Sequence, residues 1–173
     1  SRSYPSVTTD QFVGLGPARS NQPYSFTQDR VKLSADHRGF GTWKFGVGAD
    51  YDARERSLQA VDTTREATLW ARIGVQALDN IGLALKIAHA DRNASEYRVV
   101  ASLLPPDNPL MRKFNIADRQ RDSAGLRADF TVTENVSLGL SAQMSYDDYK
   151  RSTIGLLDAR TIHAGADLSA AIS

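Results

Sequence analysis

The sequence predicts an all-β fold, an antiparallel up-and-down meander of about seven strands, and three observations carry that prediction. Stretches such as VSLGLSAQMSY, Val136 to Tyr146, are apolar at every second position, the period of a strand whose side chains point to opposite faces in turn. The gaps between such stretches are short and long in strict alternation. Mid-strand apolar positions are almost wholly Leu, Ile, Val and Ala, while the aromatic ones fall mainly near strand ends.

Residues 1–25 contain Gly and Pro without alternation and read as a loop leading into the sheet; residues 26–173 carry the strands. In the first strand Val31, Leu33 and Ala35 alternate with Arg30, Lys32, Ser34 and Asp36. In the second, Trp43, Phe45, Val47, Ala49 and Tyr51 alternate with Lys44, Gly46, Gly48 and Asp50. The third sets Leu69, Ala71, Ile73, Val75 and Ala77 against Thr68, Trp70, Arg72, Gly74 and Gln76, and the fourth sets Ile81, Leu83, Leu85 and Ile87 against Gly82, Ala84, Lys86 and Ala88. In the fifth, Ala124, Leu126, Ala128, Phe130 and Val132 oppose Gly125, Arg127, Asp129 and Thr131. The sixth is the Val136–Tyr146 stretch, and the seventh alternates Ile162, Ala164, Ala166, Leu168, Ala170 and Ile172 with His163, Gly165, Asp167, Ser169 and Ala171.

The short connections HRGFG, LDN and TEN each hold the Gly, Asn or Asp that a tight hairpin needs. The long ones are DARERSLQAVDTTREA, the stretch from Asp91 to Ser123, and DDYKRSTIGLLDAR. All short turns therefore fall at one end of the meander and all long loops at the other, the layout of an outer-membrane barrel.

Alternation alone does not say whether the apolar face meets a protein core or lipid. A soluble barrel or sandwich fills its interior with large interlocking side chains, often aromatic. Here Trp43, Phe45 and Phe130 lie toward the short turns and Tyr51 and Tyr146 toward the long loops, as two interfacial girdles would. The lipid-facing candidates are Leu83, Leu85, Leu126, Leu138, Leu140 and Leu168. The lumen-facing candidates are Arg30, Lys32, Lys44, Arg72, Lys86, Arg127, Asp129 and Asp167, set among Gly, Ser, Ala and Thr. The expected architecture is part of a transmembrane outer-membrane β-barrel, resident in the bacterial outer membrane. A soluble antiparallel domain with one solvated face is the alternative; Trp70, on the polar face, fits neither arrangement cleanly.

Composition removes several chemistries. With no cysteine there is no disulfide, thiolate metal site, Cys nucleophile or covalent c-type haem attachment within this chain. A formal charge of +1 argues against a nucleic-acid binder held by bulk electrostatics. No run of about 18 apolar residues exists to form a transmembrane helix. The start, SRSYPSVTTDQF, lacks a basic head followed by an apolar segment, so any signal peptide has been removed or lies outside this stretch.

The segments NPLMRKFNIADRQR, TENVSLGLSAQMSYDDY and STIGLLDAR stand in this order, and the chain from about Pro23 onward resembles the MtrB/PioB outer-membrane proteins on their account. TTREATLWARI is similar to the third strand of that family. Members are large β-barrels, several times longer, that sheathe a periplasmic multihaem c-type cytochrome so that electrons cross the outer membrane along a haem chain. The resemblance implies a multihaem c-type cytochrome in the lumen and outer-membrane lipid around the wall, with an extracellular multihaem cytochrome as a further candidate partner. Haem belongs to the partner; no cofactor is expected on this chain. The N-terminal C-x-x-C of some members is absent, so no thiol chemistry carries over.

No catalytic constellation is present and no enzyme activity is expected. His37, His89 and His163 lie on or beside different strands without metal-ligand spacing and read as polar surface or lumen residues. Asp147 with Asp148, and Asp91 with Glu96, lack the alternating oxygen ligands and central Gly of a calcium loop and read as solvated charges. No G-x-S-x-G elbow or Ser/His/Asp grouping appears. The charged strand exits DARERS, DRNAS and DDYKRS read as polar strand ends protruding above the membrane, with lipopolysaccharide phosphates or a cytochrome surface as alternative partners.

Three functions follow from this reading: a barrel wall sheathing a multihaem cytochrome for extracellular electron transfer, a porin for small solutes, or a soluble β binding module. About seven strands with no closing partner lead to the expectation that the chain is an incomplete segment of a larger barrel, with both sheet edges open.

Overall fold

A computed structural model describes residues 8–9, 19–20, 25–39, 41–98, 108 and 110–171. Each stretch of alternation forms a strand: β3 (Phe26–Arg38), β4 (Trp43–Arg56), β5 (Thr63–Leu78), β6 (Ile81–Ala94), β7 (Arg119–Thr133), β8 (Val136–Tyr149) and β9 (Asp158–Ala170). They pair antiparallel, each with its neighbours in sequence, in one seven-stranded sheet. A separate two-residue ladder joins β1 (Thr8–Thr9) to β2 (Arg19–Ser20) inside the segment expected to be a loop; most of residues 1–25 lies outside the described part, as does Ile172. No helix among the described residues is long and apolar enough to cross a membrane, which says nothing about spanning by strands.

The strands are longer than alternation indicates. The 16-residue connection read after Tyr51 contains only residues 57–62 as loop, because β4 continues to Arg56 and β5 begins at Thr63. Charged and polar residues occupy both faces of that extension, so no period-2 apolar signal marks it. The turns carry a second correction. Bulges between Gln76 and Leu78 and between Thr131 and Thr133 place Leu78 opposite Ile81 and Thr133 opposite Val136, so Ala77 and Val132 drop out of the regular alternation. Two-residue turns at 79–80 and 134–135 close these hairpins, and Gly41, at φ 70°, sits in the turn after β3.

Short turns lie at one end, and the longer connections from β4 to β5, β6 to β7 and β8 to β9 leave from the other, as the spacing predicts. Hydrogen bonding does not join β3 to β9, so both remain edges and the sheet is open. The few buried apolar residues among those described, chiefly Ala60, Val61 and Ile116, gather at the long-loop end, with Ala94 and Tyr97 against them. The broad apolar face of the sheet has no second layer over it among the described residues, and Leu168 is 71% exposed there.

Candidate functional site

Register carries strand parity across all seven strands, because both bulges sit at the turn ends. Arg30, Lys32, Lys44, Arg72, Lys86, Arg127, Asp129 and Asp167 consequently share one face. Leu83, Leu85, Leu126, Leu138, Leu140 and Leu168 share the other.

Charges on the polar face pair across strands. Arg30 reaches Asp52 at 2.8 Å, Arg54 reaches the same carboxylate at 3.1 Å, and Gln28 donates to it as well. Arg72 pairs with Asp36 at 2.7 Å. Arg127 holds Asp129 on its own strand at 2.7 Å and reaches over β8 to Asp167 on β9 at 3.4 Å. Gly139 lies beneath that bridge, where a Cβ would stand 2.5 Å from the Asp167 carboxylate and 2.7 Å from the guanidinium, so only glycine leaves the space.

Trp70 acquires a physical reason on this face. Its ring covers Gly48, its direct partner on β4, and an added Cβ at Gly48 would lie inside van der Waals contact with the indole. Lys86 stands 5.0 Å and Arg72 5.7 Å from the ring centroid, so two cations share one aromatic surface. An indole that fills a glycine gap and binds cations is at home among charges.

On the apolar face Leu83 lies between Val75 and Ala128, Leu85 between Ile73 and Leu126, Leu138 between Phe130 and Leu168, and Leu140 between Ala128 and Ala166. Trp43 and Phe45 stack at the short-turn end with centroids 6.3 Å apart. Phe130, half-buried, lies at the same end, and Tyr51 and Tyr146 lie toward the loops, 42% and 47% exposed. His89 and Asp122 form a 2.7 Å pair on this face, in one cross-strand row with Tyr146. His89 is therefore on the apolar side, held by a carboxylate; the aliphatic surface ends at that row.

The long-loop end differs from the solvated strand exits that the sequence suggests. Asp147, only 5% exposed in its side chain, is held bidentately by Arg121 at 2.5 and 2.7 Å. Arg119 lies 3.7 Å from Asp147 and bonds Glu66 at 2.8 Å. Beside them Arg92 donates to three carbonyls of the loop above, those of Phe114 (2.7 Å), Asn115 (3.3 Å) and Ala117 (2.9 Å). Asp118 accepts the Ala94 amide at 2.9 Å, with Arg112 and Arg151 at 3.8 and 3.9 Å from its second oxygen. Met111 forms an isolated parallel bridge with Ile154, which ties NPLMRK to STIGL. Glu66, Arg92, Arg119 and Asp147 come from four strands, and the sequence offers only their charge as a signal.

Among the described residues no group of three His, Asp or Glu side chains is placed to hold a metal ion. The described residues form a sheet with one aliphatic face, one face of ion pairs, and clamped loops at one end.

Comparison with known proteins agrees with that description. The whole chain, residues 1–173, matches the model of the outer membrane β-barrel porin family MtrB/PioB. It is also 31% identical over 154 residues to a protein named outer membrane protein MtrB from Shewanella baltica (strain OS185), a match covering 89% of this chain and 22% of that relative. The chain thus spans about a fifth of the length of the curated relative it matches. Its meander, its two unlike faces and these likenesses place it in the outer membrane as a member of the MtrB/PioB family of β-barrel proteins.

Proposed function

We propose that this chain is a stretch of barrel wall that encloses a periplasmic multihaem c-type cytochrome, so that electrons pass through the outer membrane along the partner's haems. The observation that supports this most is the division of one continuous sheet into an aliphatic face with aromatic ends and a face of cross-strand ion pairs. The wall acts by exclusion: strands whose backbone groups are paired keep lipid and ions away from a buried electron path. The chain contributes no haem ligand in this mechanism. It has no cysteine, its histidines lie on separate strands or beside a turn, and His89 is occupied by Asp122.

The test is purification of the full-length barrel protein from native membranes in mild detergent. Haem absorbance in fixed ratio to the barrel supports the sheath; barrel fractions free of haem from cells that make the cytochrome refute it. A second reading, a water-filled porin, draws on the mixture of cations and carboxylates along the polar face. Open ion conductance of the haem-free barrel in planar bilayers, undiminished when the cytochrome is present, favours that reading.

A further inference from the structure

The cations of the polar face are unevenly neutralised among the described residues, and those without a partner are concentrated toward the short turns. Along β7–β9, Arg127 is matched by Asp129 and Asp167. At the loop end the arginines meet Glu66, Asp52 and Asp147. On the short-turn half of β3–β6, however, Arg38 stands directly opposite Lys44, and Arg72 directly opposite Lys86. Among the described residues Asp36 is the only carboxylate paired to any of the four, through Arg72. No ion pair holds Arg38, Lys44 or Lys86 among the described residues.

Like charges directly opposite in an antiparallel pair destabilise it. Two such pairs in adjoining hairpins therefore work against the sheet that bears them, and Trp70 relieves only the second, by lying under both of its cations. Beside Lys44 the sheet carries no side chain: Gly74 is its direct partner, and the nearest atom to an added Cβ there is 3.6 Å away, so the sheet has room for a methyl group that the sequence does not supply. An open floor with unneutralised cations suits the broad surface of another macromolecule better than a small anion, which needs donors converging on one point.

We propose that this patch, Arg38, Lys44, Arg72 and Lys86 around Trp70, is a docking surface for an acidic, carboxylate-bearing surface of the protein enclosed by the barrel. The inference rests on the sheath reading above and adds to it the charge and place of one contact. The patch runs from the turn after β3 to mid-strand, on the half of the sheet nearer the short turns, the periplasmic side in outer-membrane barrels, along the path by which a periplasmic partner enters. Basic residues there both steer an acidic partner inward and fix its register.

The experiment uses the full-length barrel co-purified with its cytochrome, comparing the unaltered protein with Lys44→Glu/Lys86→Glu and Lys44→Gln/Lys86→Gln. Haem-to-barrel ratio is followed through a sodium chloride series, with heat-modifiable electrophoretic mobility reporting barrel folding. The expected result is release of the cytochrome at lower salt in the order Glu, Gln, unaltered, with dissociation at least about tenfold easier for the Glu pair at about 0.15 M salt. If the Glu pair fails to fold, the Gln pair decides the matter. Haem retention identical in folded variants and unaltered protein overturns the docking surface while leaving the sheath intact. Variants that lose bound lipopolysaccharide but keep haem also overturn it, assigning the patch to lipid. Absence of haem from the unaltered protein overturns both readings, and a reversal of ion selectivity in the Glu pair would then assign the patch to solute conduction.

Discussion

Trp70 and Gly48 face each other across β4 and β5, and the indole occupies the space that a side chain at Gly48 would need. The backbone carbonyl of Leu33 limits that space from the other side, at 2.7 Å from an added Cβ. Gly48→Val therefore overpacks the polar face and should cost about 1 to 3 kcal/mol of stability. Trp70→Ala in the same chain should return part of that loss, because it removes one of the two obstructions. Urea titrations of refolding in lipid for both single variants and the double variant measure the coupling; strictly additive costs would show that the ring does not fill the gap.

Leu140→Arg puts a charge in the middle of the aliphatic face and should cost about 2 to 4 kcal/mol in a bilayer, whereas Ser141→Arg next to it should cost little. The two positions differ by one residue and by one face. Refolding titrations that give equal costs would reverse the assignment of lipid and lumen sides.

Arg92→Ala withdraws a guanidinium, 12% exposed, from three carbonyls of the 114–117 turn. A loss of about 1 to 3 kcal/mol is expected, since hydrogen bonds from a charged donor are among the stronger ones and the carbonyl of buried Ala117 loses its partner, while those of exposed Phe114 and Asn115 turn to water. The effect should be local. Amide exchange at Ile116 and Ala117, which both bond to the Lys113 carbonyl, should accelerate far more than exchange at mid-strand positions such as Leu85.

Asp147→Asn leaves Arg119 and Arg121 facing an uncharged amide at a site 5% exposed. The expected cost is about 1 to 3 kcal/mol, because the carboxylate is buried and bidentately held while Arg121 reaches solvent and Arg119 keeps Glu66. Asp129→Asn, at an exposed pair with 54% side-chain exposure, should cost under about 1 kcal/mol. Thermal denaturation of the two variants in the same detergent gives the comparison, and a larger effect at Asp129 would contradict the burial seen at Asp147.

How much of this was legible in the sequence follows from which signals are local. The faces were legible: Leu83, Leu85 and Leu140 on one side, Lys44, Lys86 and Arg127 on the other, because period-2 alternation is carried by neighbouring residues. The ends of the strands were not. Above Tyr51 and Tyr146 both faces are polar, so Arg56 and Thr63 extend their strands with no alternation to announce it. The charge network was hidden for another reason. Arg119 and Glu66 are 53 residues apart and meet only through register across three strands, so each reads in isolation as a solvated charge. Trp70 was anomalous in sequence for the same cause, since its partner Gly48 lies on another strand.

The Met111–Ile154 bridge joins a loop between β6 and β7 to one between β8 and β9. Its consequence is for inheritance. The two-residue turn at Glu134–Asn135 lies between these two loops, so a chimera joined there divides the pair. A recombinant joined at that turn receives NPLMRK from one parent and STIGL from the other, so its rim must be built from halves that never evolved together. The two segments form one structural unit that the linear sequence holds in two places. Chimeras of related barrels should tolerate exchange of β3–β5 more readily than exchange that divides this pair.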